Sequence, residues 1–354
     1  MSNVLTTYTE NSSDSVTQTR GLSNHRTASG VEWPTLFVAA IIYLLFGLIT
    51  WFHAALPWWI LIPAGGYLVA WHGSLQHEVV HGHPTPWTPV NRALVFPSLW
   101  LWLPFDLYRV SHLVHHQDDR ITDPTEDPES YYVTQRQWAE ATAVERALMW
   151  AHNSFLGRMV LGPLRCLYRL YTSEGQRLLR GDTANLRAWL IHAVSVALVL
   201  GWVAGVCGMA VWQYLLFFVY PGLSLTLVRS FLEHRAADEP EKRTVLVEAG
   251  PAMSLLFLNN NLHAAHHAEP GCPWYRLPGR YAERKPELLA RNGGYLYPGG
   301  YLEILARHLV WPKEHPRHPS AGMASQAASF VPTTPAVTPG APLQPVPLSR
   351  ENRG

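Results

Sequence analysis

The chain is short of charge. Only 15% of its 354 residues are Asp, Glu, Lys or Arg, against roughly 25% in an ordinary soluble domain. The formal net charge is +1, which gives no electrostatic basis for a nucleic-acid partner. Cysteine is scarce too. Cys166, Cys207 and Cys272 are isolated and form no CxxC pair, so they supply neither a disulfide framework nor a thiolate metal site, and they read as packing residues. The local absences say more. No charged residue lies between Trp33 and His77, nor between Ala188 and Val228, and each stretch exceeds one membrane span of roughly 20 residues. The segment 1–32 lacks the short apolar core of a signal peptide and is expected to be a disordered cytosolic tail. A Pro/Ala/Ser/Thr-rich segment, 319–354, is expected to be a second disordered tail, leaving 33–318 as the domain.

Each uncharged stretch reads as a helical hairpin. The first divides into spans at about 35–53 and 57–76, with a tight turn near Leu56–Pro57; the second divides near Gly205–Gly208 into 188–206 and 211–230. Two hairpins return the chain to one side, so 1–32, 77–187 and 231–354 share a compartment. All 27 Lys and Arg residues lie outside the uncharged stretches. The far-side turns carry none, so the positive-inside rule makes the shared side cytoplasmic. The 15 Trp residues suit aromatic belts at the membrane interfaces. The expected fold is an all-α, multi-pass integral membrane protein: four transmembrane helices as two hairpins, interfacial helices, and a cytosolic helical cap.

Two further segments bear on that topology. Val90–Leu107 is apolar but broken by Pro97 and Pro104, and reads as interfacial or re-entrant rather than a fifth span. Over 143–187, apolar residues alternate with Arg146, Arg158, Arg165, Arg169, Arg177, Arg180 and Arg187. That pattern fits a helix in the headgroup plane with arginines reaching phosphates, or equally a solvated helix packed on the cap.

Histidine is what the chain has in quantity. Eight of its 18 histidines fall into three clusters: His77 and His81; His112, His115 and His116; His263, His266 and His267. Residues three and four apart on a helix are neighbours, so each cluster can aim two or three ring nitrogens at one point. A single zinc ion takes about three or four protein ligands, so eight positioned histidines imply more than one metal ion. The sequence His77-Glu-Val-Val-His81 also matches the zinc-protease helix, in which the Glu is the general base. That reading leaves at least five clustered histidines without a role. Imidazole suits iron as well as zinc, and two irons can share such a ligand set.

The order HxxxH, HxxHH, HxxHH, interleaved with two hairpins, resembles the membrane-bound fatty acid desaturases and their hydroxylase relatives. The similarity runs from about Trp71 to Pro278. Flanking words resemble bacterial members: His77-Glu-Val-Val-His-Gly-His-Pro84, Thr122-Asp-Pro-Thr-Glu-Asp-Pro-Glu-Ser130 and Asn260-Asn-Leu-His263. The resemblance implies a non-haem diiron centre, O2 as co-substrate, and the eight box histidines as iron ligands. A ninth ligand near the cytosolic end of the fourth span corresponds to His234. The substrate implied is an acyl chain on lipid, acyl carrier protein or CoA, in a bacterial inner membrane with the active site facing the cytoplasm. No electron-carrier domain is visible, so a separate donor of ferredoxin, rubredoxin or cytochrome b5 type is implied.

Other polar residues carry weaker expectations. Glu78 can fix the tautomer of a ligand imidazole or serve as a surface ion-pair residue. Asp119, Asp123, Glu126 and Asp127 follow the second cluster and can orient its histidines or pair with Arg109 and Arg120. Asn260 is placed either to support the third cluster or to cap a helix. His83 is expected to point away from the ligand face and to support the site or the fold from outside. His53, His72, His152 and His192 read as satisfied packing residues. A hydroxylase or ketolase would share every cluster and differ in product. A metal transporter needs ionisable ligands within its spans; these spans have no charged residue, which argues against transport, but His72 and His192 within them keep that alternative open.

Overall fold

The computed structural model describes residues 28, 30–116 and 120–319. Apart from Ala28, Gly30–Glu32 and Pro319, both expected tails lie outside the described residues, as does Asp119.

Helix α1 (Trp33–Trp51) starts with Pro34 in its first turn, where a missing N–H costs nothing. It shows Trp33, Phe37, Leu44, Leu48 and Trp51 to the outside. A helix apolar on its outer face needs lipid rather than water around it. A short turn, His53–Ala55, leads to Pro57, the N-cap of α2 (Trp58–Val80). Here the structure departs from the expected boundary. The second helix does not stop at 76 but runs on through His77, because nothing in Gln76–Val80 breaks a helix. Residues 71–80 are buried without exception, so α2 is the central helix.

The chain then forms α3 (Thr88–Leu94) and α4 (Phe105–His115), joined by a loop that buries Val95, Leu99 and Trp100. Val90–Leu107 therefore contains no continuous span; Pro97 and Pro104 interrupt it. Next come α5 (Gln135–Glu140) and α6 (Ala143–His152), each opened by a Thr capping box, and the long α7 (Phe155–Leu179). A helix break at Asn153–Ser154 thus divides the basic segment.

The arginines of that segment mostly turn inward. Arg158 is 1% exposed and stacks over Tyr131 at 3.8 Å. Arg165 donates to Tyr131 O and Arg169 to Ser130 O. Arg146 donates to Trp138 O and Ala139 O, and Arg177 pairs with Asp182. Arg180 and Arg187 are exposed. Five arginines of the segment are thus committed to partners within the chain.

Helix α8 (Leu186–Val206) ends in wider π-helical turns and α9 (Val211–Glu233) contains them at Leu215–Val219. Between them Gly208 takes φ +68°, a left-handed turn that glycine adopts without strain. Helices α1, α8 and α9, at 19, 21 and 23 residues, are long and apolar enough to cross a membrane. Trp51, Trp58 and Trp212 lie exposed at the turn ends of the two hairpins, where amphipathic rings sit at a membrane interface.

Glycine lets α2 and α9 approach closely. A Cβ on Gly65 would sit 2.6 Å from Phe217 O, and one on Gly222 2.6 Å from Val69 Cβ. The remaining chain carries β1 (Leu246–Val247), α10 (Pro251–Leu256), α11 (His263–Ala268), α12 (Leu277–Arg291), β2 (Leu296–Tyr297) and α13 (Gly300–His308). Strands β1 and β2 pair in parallel, Leu246 with Leu296 and Val247 with Tyr297. Their small sheet supports α11, since Ala264 N donates to Val245 O.

Candidate metal centre

Every cluster sits at or near the end of a helix. His77 lies in the last turn of α2 and His81 is its C-cap; His112 and His115 close α4 and His116 caps it. The third cluster fills the six-residue α11. His234 is the C-cap of α9 and has left the helix for an extended conformation. Three C-termini, those of α2, α4 and α9, thus deliver histidines to one place. The partial negative charge at a helix C-terminus favours a cation there.

The clusters do not map one to a point. His77, His81, His112, His116 and His266 form one group, and His115, His234, His263 and His267 a second, with the nitrogens of each group within 4.8 Å of one another. In both HxxHH runs the i and i+4 histidines share a group, and the i+3 histidine crosses to the other. In the first group His112 Nε2 lies 3.1 Å from His81 Nε2 and 3.0 Å from His116 Nε2, which is 3.2 Å from His266 Nε2. In the second, His234 Nε2 lies 2.9 Å from His115 Nε2 and 3.0 Å from His263 Nε2, with His267 Nε2 3.0 Å from His263 Nε2.

The opposite ring nitrogen explains what faces inward. His115 Nδ1 is 3.0 Å and 3.1 Å from the two Asp127 oxygens, and His112 Nδ1 is 3.2 Å from Glu129 Oε1. His263 Nδ1 is 3.1 Å from Asn260 Oδ1. Each acceptor holds a proton on Nδ1, so in the neutral ring Nε2 presents a lone pair. Burial, and then the neighbouring imidazoles, push His116 and His263 far below their ordinary 6.5, so they stay neutral. Converging lone pairs in a buried site repel until a cation sits among them. The spacing suits one: nitrogens about 2.1 Å from a centre and at right angles lie about 3.0 Å apart. The residues present therefore fit a metal ion in each group.

Two groups depart from neutrality. Burial lowers the basicity of His115, but Asp127 and Glu129 outweigh it and raise its pKa to about 9. Burial raises Glu129, but His112 and His115 outweigh that and bring it down to about 2. An imidazole made this basic by its carboxylates is a strong donor to a metal.

Other expected residues fall in varied places. Asn260 bridges the halves of the site: its Oδ1 faces His263, its Nδ2 donates to Glu233 Oε1 at 2.9 Å, and it lies 3.5 Å from His77 Nε2. It caps no helix, since Leu262 holds the N-cap of α11. Glu78 does not hydrogen-bond His77; its Oε1 is 3.9 Å away and its Oε2 accepts from Trp274 N at 3.2 Å. His83 lies beyond the end of α2, so helical geometry does not place it. Its Nδ1 is 2.8 Å from Glu32 Oε1, tying the entry of α1 to the loop after α2. Asp123 accepts from Thr125 N and Glu126 N in its own turn, and Glu126 pairs with Arg120. His53, His72, His152 and His192 each meet a polar partner: Thr50 O, Tyr43 Oη, Arg165 and Leu101 O.

Sequence reasoning missed Glu129, Glu233 and Arg229. Glu233 receives Asn260, stands 3.3 Å from His263 Nδ1, and forms an ion pair of 2.8 Å with Arg229. All three were within reach of a simple signal. Arg229 and Glu233 are the first charges after an uncharged span, where ionisable residues are costly and tend to serve a site, and Glu129 stands in the word Thr122–Ser130.

A cavity of about 250 Å³ reaches His267 between Ile121, Thr244, Ala264 and Asn292. An open apolar groove of about 370 Å³ lies between α1 and Trp202, near the hairpin turns, at the ends of the helices away from the histidines. The family model described as fatty acid desaturase matches residues 50–299, well over half of the chain. No curated protein matches it.

Proposed function

The chain belongs to the fatty acid desaturase family, and from that premise we propose that it is an oxygen-dependent acyl-chain desaturase working through two histidine-bound irons. The observation that carries the reading is the pair of histidine groups, five and four, whose Nε2 atoms converge. His77, His81, His112, His116 and His266 would hold one iron and His115, His234, His263 and His267 the other. When bound, such a centre supplies oxygen activation: two hydrogens leave adjacent methylenes, and O2, with two electrons and two protons from an external donor, leaves as two waters.

The chain's own residues set the conditions. Asp127, Glu129 and Asn260 keep the Nδ1 protons of His115, His112 and His263 in place, so that Nε2 is the nitrogen these three rings turn to a metal. The Arg229–Glu233 pair holds Asn260 without adding net charge. Burial of the imidazoles excludes bulk water from the reacting carbons.

Topology completes the proposal. Helix α2, at 23 residues, would form the fourth span beside the three apolar helices; its polar residues face protein rather than lipid, which lowers its hydropathy. The histidine-bearing helix ends would then lie at the cytoplasmic side of a bacterial inner membrane, under a cap built from α4–α7 and α10–α13. The acyl group would arrive on lipid, acyl carrier protein or CoA. A separate ferredoxin, rubredoxin or cytochrome b5-type protein would deliver electrons.

The zinc-protease alternative leaves seven of the nine gathered histidines without a role, and Glu78 Oε2 is already held by Trp274 N. A transporter would need ligands along its spans, and here they gather at helix ends. The test is mass spectrometry of acyl groups from a host expressing the chain beside a His266→Ala control. A product lighter by two hydrogens, absent in the control, supports desaturation; one heavier by a single oxygen moves the assignment to a hydroxylase.

A further inference from the structure

Residues 311–319 lie beyond the stretch matched to the family, 50–299, yet they reach the frame of the histidine centre. Lys313 is the point of contact. Its side chain is 4% exposed, and its Nζ donates to Phe231 O at 2.7 Å, to Tyr131 Oη at 3.0 Å and to His234 O. Glu314 Oε1 lies 2.9 Å from the same Nζ and its Oε2 accepts from Ala236 N at 3.0 Å. The segment is fastened on either side: Lys313 N donates to Asn153 O, Val133 bridges Arg317, and His318 Nε2 is 2.8 Å from Thr122 Oγ1.

These contacts fall where α9 most needs them. The helix ends at Glu233, and its last carbonyls have no partner within the helix; Val245 N takes that of Glu233, while those of Phe231 and His234 are left to Lys313 and, at 3.4 Å, to Tyr131 Oη. His234 must leave the helix at once, with φ −132° and ψ 152°, to turn its ring toward His115 and His263. A cation on the terminal carbonyls satisfies them and suits the helix dipole. It also fixes the peptide that carries the ring.

We infer that Lys313 is a positioning residue for His234: by holding the carbonyls of Phe231 and His234 it completes the four-histidine group from outside the stretch matched to the family. The inference rests on the reading that this group binds a metal ion. Of the nine clustered histidines Lys313 is bonded to His234, through its carbonyl, so its effect is expected in the four-histidine group. Its loss leaves His77, His81, His112, His116 and His266 in place.

The experiment is a Co(II) titration of the full-length, metal-free protein in detergent, followed by ligand-field absorption, for wild type, Lys313→Met and His234→Ala. The expected result is two equivalents in wild type. In Lys313→Met the first equivalent keeps its affinity and the second binds at least about ten-fold more weakly, with the spectral change of His234→Ala. Unchanged affinity for both equivalents overturns the inference, and so does equal weakening of both, which marks a merely structural residue. If Lys313→Met does not fold, Lys313→Gln decides by the same criterion, since its shorter, neutral side chain removes the cation from the two carbonyls while remaining polar. A wild-type protein that takes up no cobalt brings down the metal reading itself, and the inference with it.

Discussion

His115 and His116 are neighbours in the chain and belong to different groups: His115 Nε2 lies 2.9 Å from His234 Nε2, and His116 Nε2 lies 3.2 Å from His266 Nε2. Successive residues on a helix differ by about 100° in direction, so the end of α4 feeds both groups at once. The same holds for His266 and His267 in α11. The two groups are thereby tied through two helices, and displacing either helix disturbs both.

Removing either neighbour should separate the groups. His116→Ala should weaken metal binding in the five-histidine group, and His115→Ala in the four-histidine group, each by at least the ~10–100-fold seen for outer partners of a metal site. Metal analysis of the two purified variants checks this; loss of both metals from each in equal measure would contradict separate groups.

Asp127→Asn should lower affinity at the four-histidine group by about 10–100-fold and change its pH dependence. In the metal-free protein His115 is raised from 6.5 to about 9, so metal must displace a proton and affinity should climb until about pH 9. The raised value also contributes stability that is complete below pH 6.5 and disappears as pH rises through about 9. The metal-free wild type should accordingly melt lower at pH 9.5 than at pH 6.5, and Asp127→Asn should show less of that fall.

Glu233→Leu should destabilise the protein by about 3–5 kcal/mol, because it leaves the buried Arg229 without its partner. Adding Arg229→Met should restore most of that stability. It should not restore metal affinity at the four-histidine group, since Asn260 and His263 still lack the carboxylate. Denaturation midpoints and metal titrations of the single and double variants measure the two effects apart.

Gly65→Ala should cost about 1–3 kcal/mol through overpacking. The added methyl would lie 2.6 Å from Phe217 O, a backbone atom that cannot rotate away. The expected readout is a lower melting temperature in detergent, with the metal content of the folded fraction unchanged.

The sequence by itself determined the class of the protein. Uncharged runs too long for a single span, with charge and histidine gathered at their ends, specify apolar helices that need lipid and polar helix ends that do not. It also marked eight of the nine histidines that gather in the fold, because i, i+3 and i+4 spacing is local geometry; His234, which has no such neighbour, was suggested only by the resemblance. Tertiary structure decided how those histidines are shared. Group membership follows from how the rings at the end of α4 meet those of α11, which no local spacing encodes, and so the expectation of one cluster to one point gave way to two mixed groups. It decided the surrounding polar partners as well: Asp127, Glu129 and Glu233 became partners of ring nitrogens only once loops and helix ends packed together, while Glu78 and His83, close to clustered histidines in the chain, were drawn to Trp274 and Glu32. The arginines of α7 show the same division. Their number and spacing were visible in the chain, but their direction depended on Tyr131 and Ser130, which come from a different part of the chain and accept them inside the fold.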